Sequence, residues 1–461
     1  MRGLLFFTAL VFWVIPALFA QETDTTQVLT LNDCIRIALE HNINVGTHQN
    51  LAKIADLGIS RSYSNILPKI NSSFTAGKFI SGPSTYLADV PVGIDTATGL
   101  IIYEQRTRTS PRYDRSTYSA GISVTQNIFD GGYWWNNIRQ NRTLKKAAYF
   151  NLKTAENQVV KYVAQYFFDL LKQMKLLEVY SLAMQRSKDQ LDRAQQMYEI
   201  GSVAQVDVFR ARVNYGQDQI AYLNQKNVVR QSRQLLNLAM GRDPLTPIQV
   251  SSDLDFQYEL PQLDSILETA FRYQPELKSR ETDVRAKEFS IALAKSAFLP
   301  SLGASFNYSR DHETFEKIYT DLDKNWSMSF GVRLSYNLFN GFADRVNYQS
   351  RQIELKNAKL SLVDFKRNLK SDVTNLFSNY KSILEIVEIN KKNLEAAREE
   401  FRLAEERYRL GSGTSLELRE AQVNLTQAEQ VLVSAEYNAI ITFIELQEAM
   451  GTVKQAFKLE G

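Results

Sequence analysis

The chain repeats itself in fixed register. Asn127 to Gly132 (NIFDGG) returns as Asn337 to Phe342 (NLFNGF), Tyr198 to Ser202 (YEIGS) returns as Tyr408 to Ser412 (YRLGS), and Ala239 to Gly241 (AMG) returns as Ala449 to Gly451. The offset is 210 at each motif (341−131, 411−201, 451−241), so no net insertion separates the copies over this stretch. Upstream, Leu31 to Leu39 matches Leu263 to Phe271 and Leu67-Pro68 matches Leu299-Pro300 at an offset of 232 (263−31, 299−67). The first copy therefore carries 22 extra residues (232−210) between Pro68 and Gly131. Solenoid units run to roughly 20–50 residues. A period this long describes one large supersecondary element, duplicated and arranged with pseudo-symmetry.

Residues 1–20 read as a secretory signal: Arg2 is the charged start, Leu4 to Ile15 the apolar core, and Pro16 to Ala20 the cleavage region. The rest of the chain has no apolar run long enough for a transmembrane helix, which leaves a β-barrel open as the way into a membrane. The net charge of +3 comes from interspersed acidic and basic residues, so nothing points to nucleic acid. Cys34 is the sole cysteine and lies in an apolar helical pattern, as a buried thiol would. His41, His48 and His312 lack metal-ligand spacing, and no nucleophile, metal cluster or paired-carboxylate pocket is visible. The expectation is a protein that is not an enzyme and needs no cofactor.

Neither proline nor glycine occurs from Tyr133 to Ile200 or from Ala343 to Leu410. Such uninterrupted stretches of good helix formers predict two very long helices, 133–200 and 343–410. In the first, Leu144, Ala148, Leu152, Ala155, Val159, Val163, Tyr166 and Leu170 follow an eleven-residue repeat, which gives way to a spacing of seven at Leu177, Met184, Leu191 and Tyr198. In the second, Val373, Tyr380, Val387, Leu394, Phe401 and Tyr408 are all seven apart. Heptads specify left-handed coiled-coil pairing. A glycine after each seam ends the helix, and Ser202-x-x-Gln205 and Thr414-x-x-Glu417 read as capping boxes that restart it as return helices, about 203–240 and 415–450.

Between opening helix and long helix the period changes to two. Trp326, Met328, Phe330, Val332, Leu334, Tyr336 and Leu338 alternate with small and polar residues, as do Tyr118, Ala120, Ile122, Val124 and Ile128, with Gln126 the exception. Together with a partner at about 70–79, which alternates poorly, and another at about 301–309, these predict strands at about 117–129 and 326–339 whose two faces suit lipid and a wet lumen, or the half-exposed sheet of a soluble protein. The 22 extra residues fall in Ser81 to Arg115, which is rich in turn formers and reads as a long exposed loop. The expected organisation is a signal peptide (1–20), a first repeat (21–241), a linker (242–261), a second repeat (262–451) and a short tail (452–461).

The ordered set resembles the TolC-like outer-membrane efflux proteins, and does so twice. It runs from a short helix through an LP-led strand, a hairpin, a strand ending FDGG or FNGF, a very long helix and a YxxGS turn to a return helix ending AMG, over essentially all of residues 29–452. The resemblance implies an α+β membrane protein with two structural repeats, each a β-hairpin plus a very long coiled-coil helical hairpin. It implies a homotrimer whose four strands per chain complete a twelve-stranded barrel in outer-membrane lipid, continued by a periplasmic α-helical barrel. The function implied is a passive exit duct of a tripartite efflux or type I secretion system. Its partners would be a periplasmic adaptor (a membrane fusion protein) and an inner-membrane pump, resistance-nodulation-division or ATP-driven. The adaptor-facing tips fall on Tyr198, Gly201, Ser202, Gly411, Ser412 and Gly413. Glu417 and Glu420 take the place of the acidic constriction rings, and Asp207 and Tyr408 that of residues linking neighbouring helices; Gly413 stands where some members have an Arg. The capping box and a solvated helix face explain Glu417 and Glu420 equally well. A secreted, non-catalytic coiled-coil scaffold is the alternative, which explains the heptads but not the strands.

Overall fold

A computed structural model describes residues 28–251 and 262–457; the expected signal segment lies outside the described residues. The first repeat runs β1 (Val28–Leu29), α1 (Leu31–His41), α2 (Ile43–Tyr63), β2 (Lys69–Ser81), β3 (Ser84–Ile94), β4 (Ile101–Ser110), β5 (Tyr113–Asp130), α3 (Tyr133–Glu199) and α4 (Gln205–Ala239). After β6 (Gln249–Val250), the second runs α5 (Leu263–Tyr273), α6 (Pro275–Ser296), β7 (Ser301–His312), α7 (Lys317–Thr320), β8 (Trp326–Ser335), α8 (Ala343–Arg409), α9 (Ser415–Met450) and α10 (Val453–Ala456). Each opening helix is thus followed by a second, longer one, and the tail carries a short helix whose Val453 is buried. At about 1.5 Å per residue, the 67 residues of α3 or α8 extend roughly 100 Å.

The chain divides into two units, and α3, α8 and α9 contribute to both. One unit holds Tyr162–Gln257, Val387–Ile440 and the residues up to Ala38. There β1 pairs in parallel with β6, and Cys34 is fully buried, which pushes its thiol up to about 12. Its stretch of α3 buries Val163, Phe167 and Leu170 together with Ala164, Phe168 and Leu171. That is a broader band than the stripe read from sequence, since α3 is covered on two adjacent faces here.

The other unit holds Leu39–Lys161, Tyr258–Ile386 and Ile441–Gly461. Its helical core joins Ile266 and Leu277 to Val373, Tyr380 and Leu446, with the Tyr380 ring against Phe443. Gln274, buried between α5 and α6, donates to the carbonyls of Glu448 (3.2 Å) and Ala449 (3.0 Å), satisfying two orphan acceptors at the end of α9. Gly451 follows with φ +77°, and a Cβ there would lie 2.7 Å from the Tyr273 carbonyl oxygen. The glycine of the second AMG motif is therefore required twice, for its left-handed backbone and for this close approach.

The unit also holds an antiparallel sheet of order β2-β5-β7-β8. Its register aligns like with like: Ile70, Val124, Phe306 and Phe330 form one cross-strand row, and Asn71, Ser123, Asn307 and Ser329 the next. Around these rows one face is mainly apolar and the other mainly small and polar, with Lys78, Asp114 and Arg310 interrupting the apolar face toward the far end of the sheet; that face is uncovered over β8, where Phe330 is 75% exposed. Gln126 sits on the apolar face opposite Ala304 because its amide donates to the carbonyls of Ile66 and Asn127, capping the entry to β2.

Three expectations need correction. Ser81 to Arg115 is not a loop. It is the upper half of the first hairpin, β3 paired with β4, because Tyr86 to Pro91 and Tyr103 to Arg108 can pair in the register already set by β2 and β5, with a bulge before Gly93 and Ile94 meet Ile102 and Ile101. Strand β8 stops at Ser335 instead of 339; Asn337 turns its amide to Asp344, 3.3 Å away at the start of α8. The capping box at Ser202 does not form: Ala204 is the N-cap of α4, without a side-chain hydrogen bond.

Candidate functional site

The two reversals between long and return helices are built alike in backbone and differently in side chains. At the first, Gly201 has φ +76°, its amide donates to Tyr198 O (2.9 Å), and the Ser202 amide reaches Met197 O (2.8 Å). At the second, Gly411 has φ +74°, its amide donates to Tyr408 O (3.1 Å), and the Ser412 amide reaches Arg407 O (2.9 Å). A left-handed residue is needed to swing these amides back onto the last carbonyls, and glycine adopts it without a Cβ penalty.

Only the second reversal is cross-tied by side chains. The Thr414 hydroxyl accepts from the Glu417 amide (3.2 Å), while the Glu417 carboxylate accepts from the Thr414 amide (3.3 Å), a reciprocal capping box. Arg407 adds an exposed ion pair to Glu417 (3.5 Å) and a hydrogen bond to Ser412 O (3.3 Å). The first reversal has only Asp207 near Arg210, at 3.6 Å. Gly413 is crowded, since a Cβ would come within 3.0–3.1 Å of Arg407 and Tyr408 backbone atoms.

A cavity of about 740 Å³ lies between the two helical hairpins, lined by Val203, Val206, Phe209, Val213 and Leu416 with Asp207, Tyr408 and Arg419. Tyr408 and Asp207 therefore share one cavity, but no hydrogen bond joins them, and the Tyr408 hydroxyl has no partner among the described residues. Glu417 and Glu420 do not line it; both are exposed in the first turns of α9.

Sequence reasoning missed the contact that joins the two hairpins. Arg419 on α9 makes a bidentate pair with Asp218 on α4, at 2.7 and 2.9 Å, with side chains only 21% and 16% exposed. Farther along α9, Glu429 pairs with Arg186 of α3 (3.3 Å), whose guanidinium lies over the Phe401 ring. The repeat hides these pairs, because the positions equivalent to Arg419 and Asp218 at the offset of 210 are Phe209 and Ala428. One signal was available: Arg419 is a cation near a helix N-terminus, where the macrodipole disfavours it unless an anion faces it.

The comparisons agree with this architecture. The family model for "outer membrane efflux protein" matches residues 94–242 and 266–452. The outer membrane protein TolC of Escherichia coli is 23% identical over 354 residues, covering 73% of this chain and 70% of that one. The outer membrane efflux protein BepC of Brucella suis is 23% identical over 343 residues, covering 73% of each chain. The crystal structure of the Campylobacter jejuni CmeC outer membrane channel superposes with a TM-score of 0.75 at 16% identity, over 92% of this chain and 86% of that one. A secreted coiled-coil scaffold accounts for none of these matches. Duplicated helical hairpins, a sheet with one uncovered apolar face and the family match over both repeats lead to one conclusion: the chain belongs to the outer membrane efflux protein family.

Proposed function

We propose that the chain is one third of an outer-membrane exit duct, a passive trimeric channel that receives substrate from an inner-membrane pump through a periplasmic adaptor. The observation that carries this reading is the sheet. Strands β2 and β8 leave two unpaired edges, and an apolar face meets solvent. Neither edge is tolerable in lipid, where every backbone N–H and C=O needs a partner, and four strands are too few to close on themselves. Three copies supply twelve strands, polar rows inward and apolar rows outward. Exposed apolar residues spaced by seven on α4 (Val206, Val213, Ile220) and on α8 (Val346, Ile353, Leu360) give the helices matching seams for neighbouring copies.

In this assembly Tyr198, Gly201, Ser202, Gly411, Ser412 and Gly413 face the adaptor. Glu417 and Glu420 ring a narrow periplasmic opening, and Tyr408 bonds Asp207 of a neighbouring hairpin to hold it closed. The unpartnered Tyr408 hydroxyl and the exposure of both glutamates support these roles. Rings of carboxylates attract cations by their summed field. The purified protein should run in detergent as a trimer and form cation-preferring channels in planar bilayers, with the preference reduced in Glu417→Gln plus Glu420→Gln. Unchanged selectivity in the double variant would reduce the glutamates to capping and surface roles, and a detergent-free monomer would sink the duct itself.

A further inference from the structure

The hairpin of β3 and β4 belongs to the first repeat alone and takes up the register of the sheet at its base, slipping only at a bulge between Pro91 and Gly93. Ser81 pairs with Tyr113 and Ser84 with Ser110, so each strand advances three residues between the two ladders and nothing is inserted. Between the ladders stand Gly82 and Pro83 on one strand and Pro111 and Arg112 on the other, which places Pro83 opposite Pro111. Proline has no N–H to donate, so pairing lapses at this level while register survives, as in a hinge. The β7–β8 ladder ends at Arg310 and Trp326, and β3 alone continues for 11 residues past the hinge, roughly 35 Å at a strand's rise.

What projects is poorly suited to water. A lone two-stranded hairpin is marginally stable there. This one pairs with no other strand among the described residues and exposes Ile94 (65%), Leu100 (70%), Ile101 (51%), Ile102 (50%) and Tyr103 (59%) around its turn. Its charged residues Asp89, Glu104, Arg106 and Arg108 lie toward the base, so the tip has almost no charge to keep like copies apart. From Val90 to Tyr103 the sole ionic group is Asp95, whose carboxylate is turned inward onto the Ala97 amide (2.9 Å) and the Thr98 hydroxyl (2.7 Å). Its β3 edge prolongs that of β2, the edge the duct assembly places at the seam between chains.

We propose that the apolar tip is covered by the same tip of the other copies: the three hairpins lean inward on their proline hinges and meet above the exit of the channel, forming a cover. The inference rests on the trimer proposed above. A cover of this kind has no ionic lock; apolar contact holds it, and outward flow of substrate parts it at the hinges.

Introduced cysteines test it cleanly, because Cys34 is fully buried and unreactive as a protonated thiol. Trimers carrying Thr96→Cys, oxidised mildly, should yield covalent dimers on denaturing gels, since a disulfide requires Cα atoms within about 7 Å. Replacing residues 84–110 by a two-residue Asn-Gly turn should leave the trimer intact and raise its conductance. An intact trimer whose Thr96→Cys thiols stay monomeric and react fully with a water-soluble maleimide would overturn the cover. So would a fluorophore at residue 96 quenched by brominated lipid, which would assign the tip to the membrane surface. Failure to trimerise, seen directly as mass in detergent, would instead bring down the duct reading on which the cover depends.

Discussion

Arg419 and Asp218 show how a single pair gives two pseudo-equivalent hairpins unequal roles. Their bidentate contact is partly buried, so each charge has exchanged water for its partner. Removing one leaves the other desolvated and unpaired; charged hydrogen bonds of this kind contribute about 1.5–3 kcal/mol. Arg419→Gln should therefore loosen the two hairpins against each other and raise resting conductance, with Asp218→Asn doing the same. The doubly reversed Asp218→Arg plus Arg419→Asp should recover part of the loss. A doubly reversed protein as leaky as the worse single variant would show that the site needs these shapes and not their attraction.

At the level of elements, four helix ends share one device and differ in what surrounds it. Gly201, Gly241, Gly411 and Gly451 all have positive φ, between 74° and 77°. At Gly411 nothing lies within 4 Å of an added Cβ, so Gly411→Ala should lose only the left-handed penalty of about 1–2 kcal/mol. At Gly451 the added carbon would meet the Tyr273 and Gln274 backbone at 2.7–2.8 Å. Gly451→Ala should thus lower the thermal midpoint clearly more than Gly411→Ala, and equal losses would mean that the AMG glycine is a turn residue only. The strand–helix turns repeat the pattern: Gly131 is hemmed in by Ser296 O at 2.6 Å, whereas its counterpart Gly341 stands in open space.

For the molecule as a whole, the sheet's two faces make opposite demands. Phe330 and Ser329 are neighbours on β8, in an apolar and a polar row. In the proposed barrel Phe330 would meet lipid, where an arginine near the midplane costs about 2–4 kcal/mol, while a lumenal position is far more permissive. Phe330→Arg should sharply reduce refolding yield into lipid vesicles and Ser329→Arg should not. Equal yields would contradict the assignment of the faces.

Much of this protein was legible in one dimension because its physics is periodic. A spacing of seven on α8 marks residues that are buried, Val373, Tyr380, Val387 and Leu394, since a helix returns the same face every two turns. Alternation on β8 marks a two-faced strand for the same reason. The motif offset located the turn glycines, whose positive φ few other residues adopt. Aperiodic features stayed hidden. The β3–β4 hairpin looked like a loop because its turn formers and prolines mask pairing that depends on register with β2 and β5, established far away in the chain. The second band of α3, Ala164, Phe168 and Leu171, depends on how many neighbours cover the helix, which its own pattern does not encode. Arg419 and Asp218 are 201 residues apart (419−218), each indistinguishable in sequence from a solvated helix charge. Sequence alone determined the repeat, the long and return helices and the turns between them, because those follow from local sterics and periodic burial; tertiary structure decided which charges lost their water and which strand edges found partners, because both depend on what distant segments bring alongside.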